Sequence, residues 1–481
     1  MPKQHKTVLG LIAFFTVIRL AVAPFFGLGV DEAHYVLYAK HLDLSYVDHP
    51  PLVGWVHALF YYIWGSNEFL ARLPAVLLFA AVAYCTYGFI LRITASVGLA
   101  LIAVLSLQCS FMFNALALML LPDSLLLLLV FGLIFLAAKI EREKKPLDFI
   151  GLGVVLGLMG LAKYTSILLV PPLVGYFLMK KRSDIVFSPY MFWAAIVALV
   201  MVSPVFYWNN MHDFISFRYQ GSHVFGTLAS SFKRFAESLG AQFGAYSPPL
   251  FLAAYYGFFK SIKSKNEYLR LAVLFGGTIL IFFLLTSFFE RTLPHWPAVF
   301  YLLFIPIGAV ELLQSGRRWK INFLYFSIGF SLFLTLFVYV ELTGKFFTFP
   351  DYKSPFRDIY GFPEIVRRAD GIIKKDASPR PKAVAVSNWT MGSRTLYYNL
   401  PYKNEVFVID HRRDQFDLWE KKTPLGYDLL VMNSHFHHLD VAKDIKCSRV
   451  EFADKIDIVL NGGKVDTIEY WWCRNYGGFA P

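Results

Sequence analysis

The sequence predicts a multi-span α-helical membrane protein, with about eleven transmembrane helices, that ends in a soluble α/β domain. Three observations carry this. Of the 481 residues, 56% are hydrophobic and 18% aromatic, and the mean hydropathy is +0.49, which leaves too little polar surface for a soluble globule. Apolar stretches of roughly membrane-spanning length recur near 7–28, 69–92, 95–115, 120–138, 148–162, 165–179, 189–207, 248–260, 270–288, 296–312 and 321–341. From about Phe346 the composition changes: Pro, Asp, Lys and Arg become frequent and no further apolar stretch of that length follows.

Charge orders these stretches. Lys139 to Lys145, Lys180 to Arg182, Lys260 to Arg270 and Arg317 to Lys320 are basic clusters that alternation returns to one side, together with Lys3 and Lys6. The opposite loops carry Asp31, Glu32, His34, Asp43, Asp48, His49, Asp123, His212, Asp213, Glu290 and His295. The positive-inside rule makes the basic side cytoplasmic. The N-terminus is then inside, and everything after Glu341 is outside. Val8 to Phe26 is read as a retained span, because no small-residue cleavage motif follows it. The formal net charge of +12 sits mostly in short loops beside apolar spans, where orientation and anionic headgroups explain it, so nucleic acid is not an expected partner.

Residues 1–342 are therefore expected to form a transmembrane domain, with a first outer loop at 29–68, and 343–481 a separate domain on the outer, periplasmic face. In the latter, 363–375 has helical apolar spacing. The segments 383–388, 405–410, 427–433 and 457–473 read as strands, the last a hairpin through Asn461, Gly462 and Gly463. Cys85 and Cys109 lie in apolar spans. Cys447 and Cys473 lie in the polar tail, where an oxidising compartment would let them pair.

Polar residues on the outer face carry the chemistry. Asp31 and Glu32 adjoin the first span, and two adjacent acids at a membrane boundary must be solvated or used. Asp123 follows Pro122 between two apolar spans, and Lys163 interrupts another apolar region, where the chain is expected to break or kink. Arg291 to Pro297 opens a further span. His34, Tyr38 and His41 share a helical face, which together with His49 admits a divalent metal; His and Tyr also populate membrane interfaces because they are amphipathic.

In order along the chain, several motifs resemble one family. They are Asp31-Glu32-x-x-Tyr35, His49-Pro50-Pro51-Leu52, Arg72-Leu73-Pro74, Pro122-Asp123, the run Gly157 to Thr165, Trp208 to Gln220, Ala241 to Pro249, and His295-Trp296-Pro297. Over roughly residues 7–310 the chain looks like a polytopic glycosyltransferase of the GT-C class, in the broad family of protein O-mannosyltransferases and the lipid A aminoarabinose transferase. The Trp208 to Gln220 motif is typical of bacterial members, which implies an undecaprenyl-type carrier. His49 stands where the aminoarabinose transferases have Lys, so that sugar and acceptor pair is not implied.

The resemblance implies transfer of a sugar from a polyprenyl phosphate to a lipid A, glycan or protein acceptor outside the membrane, with inversion. Such a reaction needs cations for the departing phosphate and a carboxylate for the incoming hydroxyl. By their match to the family's acidic positions, Asp31 is the expected base or acceptor-positioning group and Asp123 orients the acceptor or a metal; Glu32 is adjacent to Asp31. Lys163 is the expected phosphate ligand, with Arg218, Arg291 and His49 as further candidates. Tyr35, His34, His295 and Trp296 are candidate substrate contacts. Each has a blander role to weigh: Lys163 as a snorkelling anchor, Trp296 as an interfacial belt residue, and Trp389, Trp471 and Trp472 as packing. A transporter or lipid flippase is the competing function, opposed by the clustering of charges on one face and by the absence of matched halves.

Overall fold

The computed structural model describes residues 3–225, 230–420 and 422–480. In chain order the first helices are α1 (Lys3–Val22), α2 (Val30–Lys40), α3 (Leu52–Trp64), α4 (Glu68–Thr94), α5 (Val97–Cys109), α6 (Phe111–Leu118), α7 (Pro122–Glu143) and α8 (Pro146–Ala162). A 3-10 turn (Tyr164–Leu169) leads into α9 (Val170–Met179), α10 (Ser183–Val186), α11 (Pro189–Met211) and α12 (Ile215–Phe225). There follow α13 (Phe232–Ala245), α14 (Pro248–Ser261), α15 (Glu267–Thr286), α16 (Ala298–Gln314) and α17 (Arg318–Gly344). The C-terminal part contains α18 (Phe362–Lys375), β1 (Lys382–Val386), α19 (Trp389–Tyr398), β2 (Glu405–Val408), α20 (Gln415–Trp419), β3 (Asp428–Ser434), β4 (Arg449–Leu460) and β5 (Gly463–Arg474).

Two compact units result. One comprises Met1–Ala23, Asp43–Val56 and Arg72–Val338; the other Pro24–Leu42, His57–Ala71 and Tyr339–Pro481. A cut at 342/343 thus misses two pieces of the first outer loop that pack with the C-terminal domain. Within that second unit Leu28, Ala33, Val36, Leu37 and Ala71 form an apolar cluster with Tyr397, and the Leu28 N–H donates to the Tyr398 hydroxyl at 2.8 Å.

The expected eleven crossings differ from what helix length supports. Among the described residues, six helices are long and apolar enough to cross a membrane, or seven if the bent pair α5 and α6 is one span. The other four predicted stretches coincide with shorter helices: α8, the 3-10 turn with α9, α14 and α16. The apolar stretch at 95–115 is a pair bent by 72°. At the bend Asn114 Nδ2 donates to Gln108 O (2.7 Å) and to Ser110 O (2.8 Å), and the Ser110 carbonyl also accepts the Asn114 N–H at 3.1 Å as the first bond of α6. Fully buried Arg19 donates to Gln108 Oε1 (2.6 Å) and Asn114 Oδ1 (2.9 Å), and its guanidinium lies 4.8 Å from the Phe79 ring centroid.

Small residues set the closest helix approach. A Cβ on Gly308 of α16 would lie 2.0 Å from Ala253 O of α14, and one on Gly257 would lie 2.6 Å from Gly308 N.

The C-terminal sheet has the order β2-β1-β3-β5-β4, with β2, β1 and β3 parallel and β5 and β4 an antiparallel hairpin. Alternation along the strands supplies both faces: Val384, Val386, Leu430 and Met432 pack with α18 on one side, and Ala383, Ala385, Leu429 and Val431 with Val441 and Ile445 on the other. The hairpin turns at Asn461 and Gly462, both at positive φ. Cys447 and Cys473 form a disulfide across 26 residues, a constraint worth about 3 kcal/mol in the chain-entropy account. Arg474 joins Asp376 (2.6 Å), Asp428 (3.2 Å) and Glu451 (3.2 Å).

Replacing Gly308 by Leu is expected to lower the melting temperature of the detergent-solubilised protein or prevent its recovery as a single species, because overpacking at this crossing costs at least about 1–3 kcal/mol. Gly329→Leu, where nothing lies within 4 Å of the added Cβ, serves as the tolerated control. Equal behaviour of the two would show that the α14–α16 contact is not tight.

The Arg474 hydrogen bond holds the Asp376 carboxyl down at about 2. A depressed carboxylate stabilises the fold above the ordinary Asp value of about 3.8 and loses that contribution, on the order of 2 kcal/mol, as pH falls through about 2. Tryptophan fluorescence between pH 5 and 2 is expected to show a steeper loss of stability for wild type than for Asp376→Asn; identical profiles would refute the coupling.

Candidate functional site

Asp123 is the second residue of α7, after Pro122, a position where a carboxylate is favoured by the exposed N–H groups and dipole of the helix start. Lys163 lies where α8 stops: its backbone is extended (φ −155, ψ 133) between Ala162 and the 3-10 turn. That break points the ammonium away from a regular helical ladder, and Lys163 Nζ meets Asp123 Oδ1 at 2.5 Å. Both side chains are only 7% exposed. His295 Nε2 lies 3.9 Å from Asp123 Oδ2. Burial lowers the His295 pKa from the ordinary histidine value; Asp123 opposes that shift and Lys163 adds to it.

Neighbouring motifs brace this cluster. Ser45 and Tyr164 hydroxyls are 3.3 Å apart, Ser216 Oγ donates to Tyr46 O at 2.8 Å, and Gln220 Nε2 donates to Asp48 O at 2.7 Å. The run Trp208 to Gln220 therefore works as a clamp on the segment that carries His49, which itself lies within electrostatic range of Asp123. Tyr246, in the Ala241 to Pro249 motif, stacks on Tyr301 with ring centroids 3.7 Å apart, also within electrostatic range of Asp123. Neither Tyr246 nor the clamp role of Ser216 and Gln220 was evident from residue type, since their value lies in partners over 50 residues away. Arg72 is fully buried and donates to Ala23 O at 2.6 Å, holding the end of the first span. Trp296 packs on Phe283 with centroids 5.6 Å apart. Arg218 and Arg291 are exposed.

The acidic pair of the first outer loop belongs to the other unit, on α2. Glu32 reaches back over the start of α2 and accepts from the Gly29 N–H at 3.0 Å. Asp31 is half-buried in the same first turn. His34 is enclosed by Tyr38, Trp389, Phe416 and Trp419. Its ring nitrogens lie 3.2 Å from the Tyr38 and Ser393 hydroxyls, so it helps anchor α2, and Tyr35 packs at its edge. His41 stacks on Trp419 with centroids 4.7 Å apart, and burial lowers its pKa to about 4, Lys40 adding to the effect. Among the described residues, no group of three or more His, Cys, Asp or Glu has the geometry to hold a metal ion.

Comparison with known proteins gives three findings. Residues 48–208 match a sequence family described as dolichyl-phosphate-mannose-protein mannosyltransferase. The lipid A galacturonosyltransferase RgtD of Rhizobium johnstonii is 28% identical over 268 residues, which cover 53% of this chain and 55% of that protein. The match thus spans about half the length of this curated relative. Two crystal structures of ArnT from Cupriavidus metallidurans share the fold. The one bound to undecaprenyl phosphate aligns with a TM-score of 0.66 and 14% identity over 97% of this chain and 98% of that one. The apo state aligns with a TM-score of 0.63 and 15% identity over 96% and 98%. The resemblance to polytopic GT-C glycosyltransferases therefore holds in sequence family, in a curated relative and in fold.

Asp123→Asn is expected to destabilise the protein by about 3–5 kcal/mol, because it strands a buried ammonium. Asp123→Asn combined with Lys163→Met should recover most of that loss in chemical unfolding. A double variant as unstable as the sum of its parts would show that the two charges do not depend on each other.

Proposed function

We propose that the chain is an integral membrane glycosyltransferase that moves a sugar from an undecaprenyl-type polyprenyl phosphate to a lipid A, glycan or protein acceptor on the periplasmic face, with inversion. The observation that carries this reading is the buried Asp123–Lys163 pair beside His295, set in a helical unit of GT-C type. Breaking the bond between the anomeric carbon and the phosphate oxygen leaves charge on the phosphate, and an ammonium kept out of bulk water stabilises that charge far better than an exposed one. Asp123 holds the Lys163 ammonium in place until a phosphate oxygen takes over as its partner. His49, Arg218 and Arg291 are further candidates to meet the lipid phosphate, and His295 is a candidate substrate contact beside the pair.

On the acceptor side, Asp31 is the carboxylate proposed to take the proton from the attacking hydroxyl, by its match to the acidic position of the family's first outer loop. A phosphate acceptor would need no base, and Asp31 would then only position it. The relative's name, a lipid A galacturonosyltransferase, and the undecaprenyl phosphate bound to ArnT favour a lipid A acceptor and a polyprenyl donor. The proposed topology has the basic clusters cytoplasmic and the C-terminal unit periplasmic in a bacterial inner membrane. The Cys447–Cys473 disulfide, which calls for an oxidising compartment, supports it independently of charge.

Mass spectrometry of lipid A, outer glycans and polyprenyl phosphates from cells with and without the gene tests this reading. Loss of one sugar-sized unit from one acceptor, with accumulation of the loaded carrier, is expected. Wild type should restore the unit; Lys163→Ala and Asp31→Asn, expressed to the same level, should lower restoration at least about 100-fold. Unchanged glycan and carrier pools would refute the transferase, and full restoration by either variant would remove that residue from the chemistry.

A further inference from the structure

The C-terminal unit contains a crevice of about 530 Å³ lined by Ser387 and Asn388 after β1, Asp410 and His411 after β2, and Phe436 to Leu439 after β3. All three strands are parallel, so these residues lie together at the carboxyl ends. The order β2-β1-β3 means the chain leaves β1 toward one side of the sheet and returns on the other. In open α/β sheets that reversal separates the loops and opens a ligand crevice. Its volume falls within the usual range for small-molecule sites, about 300–1,000 Å³.

The usual occupant of such a crevice does not fit. A nucleotide's phosphates need a glycine-rich turn after β1 so that the backbone can approach closely. Here that turn reads Ser387-Asn388-Trp389-Thr390-Met391-Gly392, with a tryptophan where close approach is needed. An inorganic anion is poorly served as well. Lys443 is engaged by Asp440 at 2.8 Å, burial and Arg394 lower the His437 pKa from the ordinary histidine value, and Asp410 and Asp444 add negative charge to the lining. The polar set suits neutral hydroxyls: the Ser387 hydroxyl donates or accepts, the Asn388 amide NH₂ donates, the Asp410 carboxylate, whose Oδ1 already accepts from the Arg412 N–H at 3.0 Å, accepts, and His438 adds a ring nitrogen. Two aromatic rings, Phe436 and Phe479, flank it, the second packed on His411 with centroids 4.1 Å apart. Planar polar groups alternating with aromatic faces suit a ring that carries equatorial hydroxyls on an apolar carbon face.

We infer that this crevice binds a neutral saccharide, and that it serves as a glycan-recognition subsite of the protein. Its assignment to the acceptor rests on the glycosyltransferase reading; saccharide binding itself does not.

The full-length protein in detergent micelles would be titrated with N-acetylglucosamine and its β-1,4 disaccharide, with inorganic phosphate and AMP as rival probes, by saturation-transfer NMR. Saturable binding of the saccharides, weakened at least about fivefold in His438→Ala and in Asp410→Asn, is expected. His438 is exposed, so its removal leaves folding intact, and an unchanged melting temperature verifies this. Binding of phosphate or AMP in preference to saccharide, or saccharide binding equal in wild type and both variants, would overturn the inference, as would no binding of any probe. If transfer is detected, the same variants should raise the acceptor KM while leaving the donor KM unchanged. Transfer without saccharide binding would sink the subsite alone. Saccharide binding in a chain that alters no glycan would sink the transferase and leave the subsite standing.

Discussion

A charge buried among membrane-crossing helices has to be answered by protein, because neither lipid nor bulk water is there to do it. Lys163 and Asp123 meet that requirement for each other, and much of the helical unit is arranged so that they can. The ammonium arrives because α8 stops at Ala162 and the chain runs extended before resuming as a 3-10 turn. The carboxylate arrives because Pro122 starts α7 one residue earlier. The ion pair thus joins the start of α7 to the end of α8. A pair of this kind contributes little net stability against well-packed hydrophobic residues. The proposed role of Lys163, a sheltered cation for a departing phosphate, is one that such a pair could serve at little net gain in stability.

The same demand recurs wherever the backbone departs from a straight helix. At the α5–α6 bend the Gln108 carbonyl is taken by the Asn114 side chain, and Arg19 ties the two helices to α1. Where there is no polar group to satisfy, close packing through Gly257 and Gly308 replaces it. The C-terminal unit obeys a different solvent. Its parallel strands are apolar on both faces because helices and loops cover both, and its charges collect at the margins, as at Arg474 with its three carboxylates.

Much of this was legible in residue order. Every apolar stretch became a helix, all four predicted strand segments became strands, and the Asn461-Gly462 turn and the cysteine pair were both visible. Legibility failed where local pattern and long-range packing conflict. The stretch at 95–115 is apolar apart from Ser96, Ser106, Gln108, Ser110 and Asn114, and residue type does not tell a bend at Ser110 from polar groups inside one straight span. Four stretches became helices of 10–17 residues, each beginning at or beside a proline: Pro146, Pro171, Pro248 and Pro297. The strand β4 begins at Arg449, earlier than its apolar pattern indicates, because pairing with β5 extends it through charged residues on an exposed edge. His34 and His41 share a helical face suited to a metal, yet aromatic rings from α19 and α20 fill the space around them.

By itself the sequence determined the solvent of each part, since hydropathy and basic clusters are sums over many residues and survive local error. It also determined the residue types available for chemistry, because an Asp after Pro and a Lys inside an apolar run are costly in any arrangement. Tertiary structure decided which of those residues meet. It joined Asp123 to Lys163 across 40 positions, set Glu32 against the start of α2 and enclosed His34 among aromatic rings. The reason is physical: burial makes a charge expensive and geometry makes it useful, and both are properties of neighbours that the linear order does not place side by side.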